Sequence, residues 1–387
     1  SIWVSTDYGS SWSETSDPAG GDDDYSTTYY WRAVAVSSDG TKLAAAHQYG
    51  LWTSDDSGAT WSTDTSYSWS DLRDIAMSDD GYTLAVVEYS GNLRTSSDGY
   101  NWNDAYNGYN DLNSQDWQAI AMSADGGTMV AVAAQDYNYM GGGVYLSTDF
   151  GSTWSTAVFG GGASLNLVDV AVAGSGSRLS AVANGGQVWI SADAGTTWAT
   201  EPPAGITPAP TVPMAPAPTP APSASPRAWS AIASSADGAR LAATVSAGSI
   251  YTSADSGASW TEDATAGARN WVSIAMSADG QRLAAVEGSV DLSYCDVSGS
   301  LWTSSDFGAS WTEQAGLGSE CWRGVAMSGD GATVAAVVGE GSIWVSTDYG
   351  SSWSETSDPA GGDDDYSTTY YWRAVAVSSD GTKLAAA

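Results

Sequence analysis

Short apolar runs of six or seven residues recur along the whole chain, each bounded by Ser, Asp, Thr and Gly. WRAVAVS at 31–37 leads through Ser-x-Asp-Gly into TKLAAAH at 41–47, and GLWTSD at 50–55 leads through Asp-x-Gly into TWSTDT at 60–65. Runs of this length between turn residues predict strands rather than helices. The turn Gly supplies the positive φ that a tight reversal needs. The unit therefore reads as four short antiparallel strands, A to D in chain order.

Two motifs mark the unit and alternate eight times each. The first, Ser/Thr-x-Asp-x-Gly-x-x-Trp, has intact copies at Asp7–Trp12, Asp56–Trp61, Asp149–Trp154, Asp193–Trp198, Asp255–Trp260, Asp306–Trp311 and Asp348–Trp353. An eighth copy, TSSDGYNW at 95–102, ends on Trp102 and sets Ser97 at the Asp position. The second motif is Trp-x-x-(Ile/Val)-Ala-(Met/Val)-Ser-x-Asp-Gly before a Leu/Val-Ala run, with Leu72 and Leu167 replacing Trp in two copies. Four strands per unit of roughly 40–50 residues predict an all-β chain, a β-propeller of four-stranded antiparallel blades. Strand A, richest in small apolar residues, is expected to line the central channel.

The first motif resembles the Asp box, and the chain is similar over nearly its whole length to the Asp-box, or BNR-repeat, propellers. These include sialidases, sortilin-type receptors, certain xyloglucanases and a photosystem II assembly factor. The resemblance implies that the box Asp closes the C–D turn by accepting backbone N–H bonds and that the box Trp packs between strands. Both roles suit the residue chemistry. The motif is specific for fold and carries little about function.

Residues 1–46 recur unchanged as residues 342–387, although the units between them have diverged. The identity includes the unusual insert SDPAGGDDDYSTTYY. It reads as a recent super-repeat of seven units with a period of 341 residues. Two closures compete, with the seven-unit period slightly favoured. Seven-bladed rings can follow one another in tandem. Alternatively, strands C and D at the start can complete strands A and B at the end, closing an eight-bladed ring and removing exposed sheet edges. A superhelix of unclosed blades is a third arrangement. The whole of 1–387 reads as one repeat array, and because it opens on Ser1 it is expected to be a processed product or an excerpt.

Charge narrows the partners. Forty-five Asp and Glu against 12 Lys and Arg give a formal charge of −33, which argues against nucleic acid and anionic membranes. No apolar run approaches the ~18 residues of a membrane span. Much of the acidity is turn Asp repeated from unit to unit, so it speaks for solubility and mutual repulsion rather than for one site.

Antiparallel order sorts the loops onto two faces. The repeated A–B and C–D turns share one face, and the B–C and D–A connections, which carry every long insert, share the other. Candidate binding residues on that second face are Tyr25, Tyr29 and Tyr30 beside Asp22, Asp23 and Asp24, and Tyr137 and Tyr139. Asp22–Asp24 is a weak calcium candidate, without EF-hand spacing. No other cofactor or metal is expected. The single His47 reads as an exposed loop residue and excludes His-based triads. Residues 202–226 hold 10 of the 12 prolines and read as a polyproline-II loop inserted between strands D and A. This insert resembles hydroxyproline-rich, O-glycosylated wall-protein segments. Cys295 and Cys321 fall on one face around one blade, where a disulfide would fit an extracellular setting.

Catalysis finds little support. Nineteen of the 20 Trp occupy repeat positions, only Trp69 standing outside, so packing explains them. Most carboxylates are turn residues, and nothing marks two that converge on one bond. Arg32, Arg73, Arg323 and Arg373 share one repeat position near the start of strand A. The sialidase Phe/Tyr-Arg-Ile-Pro signature is absent. The photosystem assembly factor's basic patch, implied by the resemblance, needs more cations than this chain has. The expected function is a non-enzymatic structural or assembly module of a tandem-repeat extracellular or cell-surface protein, such as a filament, appendage or wall matrix, whose partners are further copies or other matrix proteins. The alternatives are a protein- or glycan-binding receptor propeller and a polysaccharide hydrolase of the Asp-box type.

Overall fold

The computed structural model describes residues 1–15, 30–63, 69–105, 112, 115–134, 142–157, 166–200, 227–263, 265–288, 297–339, 341–356 and 372–387. The described residues form short strands throughout, with one 3-10 turn at Ala315–Leu317. The fold is an all-β propeller. Innermost strands A run at Trp31–Val36, Leu72–Met77, Gln115–Met122, Leu167–Val172, Arg227–Ser234, Arg269–Met276, Trp322–Met327 and Val375–Val377. They define units 1 to 8. In units 1 to 7, strand A pairs with B, B with C and C with D, all antiparallel.

Unit 8 joins the two ends of the chain. Its strands A and B are Val375–Val377 and Leu384–Ala386, and its strands C and D are Trp3–Ser5 and Ser13–Glu14. Trp3 lies opposite Ala386, Val4 opposite Ala385 and Ser5 opposite Leu384. The A–B turns then close a circle of backbone hydrogen bonds. Ser38 N–H donates to Asp79 C=O, and the sequence continues through Ala124, Gly174, Ala236, Ala278, Gly329 and Ser379 back to Ser38, every bond 2.8 to 3.0 Å long. Each of these eight turns therefore satisfies its neighbour's backbone.

The turn chemistry repeats. In unit 1 the Ser37 hydroxyl donates to Asp39 at 2.7 Å and accepts the Lys42 N–H at 3.0 Å, while Asp39 accepts the Thr41 N–H at 3.0 Å. Unit 4 departs, with Ala173 in the Ser place and a Ser175–Ser177 hydroxyl pair in place of the carboxylate. At the C–D turn the box is a similar clasp. Asp7 accepts the Ser5 hydroxyl at 2.9 Å, the Ser11 N–H at 2.8 Å and the Ser11 hydroxyl at 2.6 Å. Asp56, Asp149, Asp193, Asp255, Asp306 and Asp348 repeat this pattern. These bonds favour the charged form and hold the box carboxyls below the usual range.

The second unit corrects the sequence alignment. Asp98, not Ser97, closes this turn, accepting the Ser96 hydroxyl, the Asn101 N–H and the Asn101 amide. Gly99 follows Asp98 directly, so the turn is one residue tighter than the others and the aligned register slips by one. The Asp98 carboxyl is lowered to about 2, chiefly by the Asn101 N–H and side-chain bonds.

Packing lies between neighbouring sheets. Ala44 and Leu51 of unit 1 meet Leu72, Ile75, Leu84 and Val86 of unit 2, for example. Trp12, Trp61, Trp102, Trp154, Trp260 and Trp311 are buried at such interfaces, and Trp198 and Trp353 are half-buried. Fully burying a large apolar side chain is worth roughly 1.5–3 kcal/mol, so this interdigitation is the main source of cohesion. His47 is a second correction. It is buried at 5% exposure, packed edge-on against Trp31 at 5.2 Å, and accepts the Tyr49 N–H at 3.1 Å through Nδ1. Burial lowers its pKa to about 4. The end of strand B extends under the aromatic layer there, which the loop assignment missed.

Candidate functional site

Strand A carries a bulge at one repeated place. The A–B register skips Arg32, Arg73 and Arg323 in units 1, 2 and 7, and the skipped residue turns out of the ladder. Arg373 holds the equivalent place in unit 8. The ring makes units 7, 8, 1 and 2 consecutive, so Arg323, Arg32 and Arg73 on their inner strands and Arg373 just ahead of the fourth stand side by side at the loop end of the ring. Their mutual approach shows in Arg373, whose pKa is lowered first by burial and then by the charges of Arg32 and Arg323.

Asp71 serves the Arg32 and Arg73 part of this sector. Asp71 reaches Arg32 Nη2 at 3.1 Å and Arg73 Nη2 at 3.8 Å. Asp71 sits at φ +44, an uncommon conformation for a non-glycine residue, and its carbonyl accepts the Tyr89 N–H at 2.9 Å. Arg73 also stacks over the Tyr89 ring at 4.3 Å. Nε of Arg32 and Nε of Arg73 are buried and donate no hydrogen bond among the described residues. Guanidinium groups crowded by like charge suit an incoming carboxylate, sulfate or phosphate.

Two further charges enter the inner wall one position on. Asp74 accepts the N–H of Ile75 at 2.9 Å and that of Ile120, in the next unit, at 2.9 Å. Asp169 accepts Val170 N–H at 2.9 Å and Ile232 N–H at 2.8 Å in the same way. Each carboxylate thus clasps two adjacent inner strands. Both residues are half-buried, with each carboxylate packed into the wall between the two strands it joins. This burial raises Asp74 to about 6 and Asp169 to about 7, the Asp74 charge adding to the Asp169 shift. Sequence reasoning missed the pair. The available signal was an Asp inside an apolar strand, where most other units place Ala, Ser or Gly.

Of the proposed loop residues, Tyr30 is described and half exposed, close enough to Arg373 to influence its charge. Tyr25, Tyr29, Tyr137, Tyr139, Asp22, Asp23, Asp24 and the 202–226 insert lie outside the described residues. Cys321 is buried and disulfide-bonded, and Cys295, the chain's other cysteine, lies outside them. Among the described residues no group of three or more His, Cys, Asp or Glu is placed to hold a metal ion. The Asp-box residues are spread around the ring and do not converge. Trp69, the unassigned tryptophan, is core, packed edge-on against Trp102 at 5.4 Å beneath Arg94.

The family model for the BNR-Asp box repeat matches residues 301–314. No curated protein sequence matches the chain. YCF48 bound to a D1 peptide is similar in structure, with a TM-score of 0.54 and 14% identity over 82% of this chain and 92% of that one. The Cps50 (Swd1) β-propeller domain of Myceliophteria thermophila gives 0.55 and 13% identity over 82% and 95%. An ancestral GH74 enzyme gives 0.50 and 15% identity over 71% of this chain and 36% of its own. Likeness at this identity establishes the fold, and the functions of these proteins differ from one another.

Proposed function

We propose that this Asp-box β-propeller is a non-enzymatic assembly module of a tandem-repeat extracellular protein, a component of a filament, surface appendage or wall matrix. The observation that carries the reading is the unchanged recurrence of residues 1–46 at 342–387 amid diverged units. Identical copies let every contact between modules recur, which repetitive assembly requires. The Cys321 disulfide and the proline-rich insert support an oxidising, extracellular setting. Partners are then further copies or other matrix proteins, and the net negative charge must be offset by cations, glycans or the loops. Electron microscopy of native material tests this. A filament or lattice with a regular molecular repeat is expected, and dispersed single rings would overturn it.

A second reading has a specific observation behind it. The arginines of units 7, 8, 1 and 2, with Tyr30 beside them, favour a binding propeller whose loop end takes an anionic ligand, an acidic glycan or an acidic peptide. An array of carboxylated and sulfated glycans checks it. Binding weakened at least tenfold by Arg32→Gln is expected, and equal binding by wild type and variant would remove it.

A further inference from the structure

Asp71 occupies a place that recurs just ahead of strand A. The carbonyl at this place accepts an N–H from near the end of strand B: Tyr89 to Asp71 at 2.9 Å, Gln48 to Tyr30 at 2.9 Å, Asn184 to Asn166 at 2.7 Å, Gly288 to Asn270 at 3.0 Å and Gly339 to Cys321 at 2.7 Å. Of these five acceptors only Asp71 has positive φ. Asn tolerates the left-handed region better than most residues, yet Asn166 and Asn270 stay out of it. The connection itself therefore does not require that conformation. At Asp71 it accompanies a carboxylate aimed at two guanidinium groups.

The aim is imperfect. Asp71 Oδ1 lies 3.1 Å from Arg32 Nη2, a hydrogen bond, whereas Oδ2 lies 3.8 Å from Arg73 Nη2, too far for one. One carboxylate is stretched between arginines of two units and meets neither through both oxygens, which is the strong arrangement. Solvent reaches the group, because the side chains of Asp71, Arg32 and Arg73 are 24%, 18% and 30% exposed. The surroundings have anchors of their own. Trp69 and Leu72 are buried on either side, and the bond to Tyr89 uses the Asp71 main chain. The Tyr89 ring supports Arg73 at 4.3 Å. The Asp71 side chain can turn away while its backbone and Arg73 stay in place.

We infer that Asp71 is an internal surrogate for a ligand carboxylate: a carboxylate group of the ligand takes its place on Arg32 and Arg73, and Asp71 sets the affinity by competing for them. The inference rests on the second reading above, in which the arginine sector binds an anion, and adds the chemical class of the ligand and a built-in competitor. The ligand gains what Asp71 lacks, freedom to meet one guanidinium with both oxygens. Its apparent affinity is reduced to the extent that Asp71 already holds the arginines, and removing the Asp71 carboxylate lifts that reduction.

The probes are oligogalacturonate and a hexaglutamate peptide, which present the same group from a glycan and from a peptide. Fully methyl-esterified oligogalacturonate is the uncharged control. Calorimetric titration of the full chain at fixed ionic strength compares wild type with Asp71→Asn and Asp71→Gly. Glycine accepts φ +44 freely, so the second variant guards against a loss of fold. At least one carboxylated probe is expected to bind, at least fivefold more tightly to both variants than to wild type, and the ester is expected not to bind. Equal or weaker binding by the variants would overturn the inference and leave the anion-binding reading standing. Binding of the ester would overturn the carboxylate assignment. Failure of both probes with wild type and variants alike would remove that reading and this inference together. A crystal structure of wild type with the bound probe separates displacement from a mere change of charge. The expected complex has the probe's carboxylate on Arg32 and Asp71 turned away, and a probe seated elsewhere with the Arg32–Asp71 bond intact would overturn the inference.

Discussion

The two ends of the ring obey different rules. At the turn end, the circle from Ser38 to Ser379 joins the backbone of all eight described units, and the turn glycines are wedged under the neighbouring unit. A Cβ on Gly126 would lie 2.7 Å from Thr83 Cβ, and one on Gly238 would lie 2.8 Å from Ala173 Cβ. At the loop end, Gly185 and Gly267 also have positive φ, yet a Cβ there meets no atom within 4 Å. That end holds the arginines and Asp71. One end is fixed by repetition and close packing, and the other is free to vary on a scaffold already held together.

The largest break comes from crowding the fixed end. Gly126 sits at φ +73. Gly126→Val combines left-handed strain in a β-branched residue with overpacking against Thr83, and is expected to destabilise by about 2 to 4 kcal/mol. Denaturant unfolding measures it. A loss under about 1 kcal/mol would mean the turn circle yields easily and the contrast between the ends is false.

The inner wall between the ends gives the next effect, through pH. Folding raises Asp169 to about 7 and Asp74 to about 6, so the folded state holds protons that the unfolded state releases. Their stabilising contribution is fully present below about pH 4 and is lost as pH rises through 6 to 7. The box carboxyls are shifted down, and their contribution appears above pH 4 and is lost on acidification. His47, lowered to about 4, gains stability with rising pH over the same window as the inner pair loses it. The comparison with Asp169→Asn isolates one term. The variant starts less stable at pH 4, where its amide cannot accept both the Val170 and Ile232 N–H groups, and the gap to wild type narrows toward pH 7. A gap that is constant across this range would show that Asp169 is not protonated in the fold.

A matched glycine at the open end sharpens the contrast. Gly185 has φ +72 with free space around it. Gly185→Ala therefore meets strain without collision, and about 1 kcal/mol is expected, seen as a melting shift of only about 1 °C for a chain of this size and read more surely from denaturant unfolding. A loss as large as that of Gly126→Val would place hidden packing at the loop end.

The sequence made the fixed end legible because its chemistry is local. Ser, Asp and Gly at set spacings build the same turn wherever they occur, and Asp98 was misaligned only because one turn is a residue tighter. The loop end depends on which units become neighbours. Arg32 and Arg73 belong to the first two complete units and Arg323 and Arg373 to the last two, so they look far apart until the ring closes. Asp74 and Asp169 escaped notice for a related reason. Their partners, Ile120 and Ile232, lie 46 and 63 residues away. No window of periodicity spans such a distance. His47 was assigned to a loop because a polar residue at the end of a short apolar run reads as the run's limit, whereas Trp31 and Trp52 make room for it.

The smallest effect probes what the open end is for. Arg32→Gln removes the bond from Nη2 to Asp71 and also a positive charge from beside Arg373. The lost pair and the relieved repulsion oppose each other, so the net change in stability is expected to stay within about 1 kcal/mol. The response to anions should change more. Any anion that binds only the folded arginine sector raises the melting temperature in proportion to RT ln(1 + [L]/Kd). Sulfate also stabilises proteins by exclusion from their surface, an effect that wild type and variant share. Melting wild type and Arg32→Gln in sulfate and in chloride at equal ionic strength separates the two contributions. A sulfate increment larger in wild type than in the variant is expected. Equal increments would mean that the four arginines are balanced within the protein and that the loop end owes its charge to architecture rather than to a ligand.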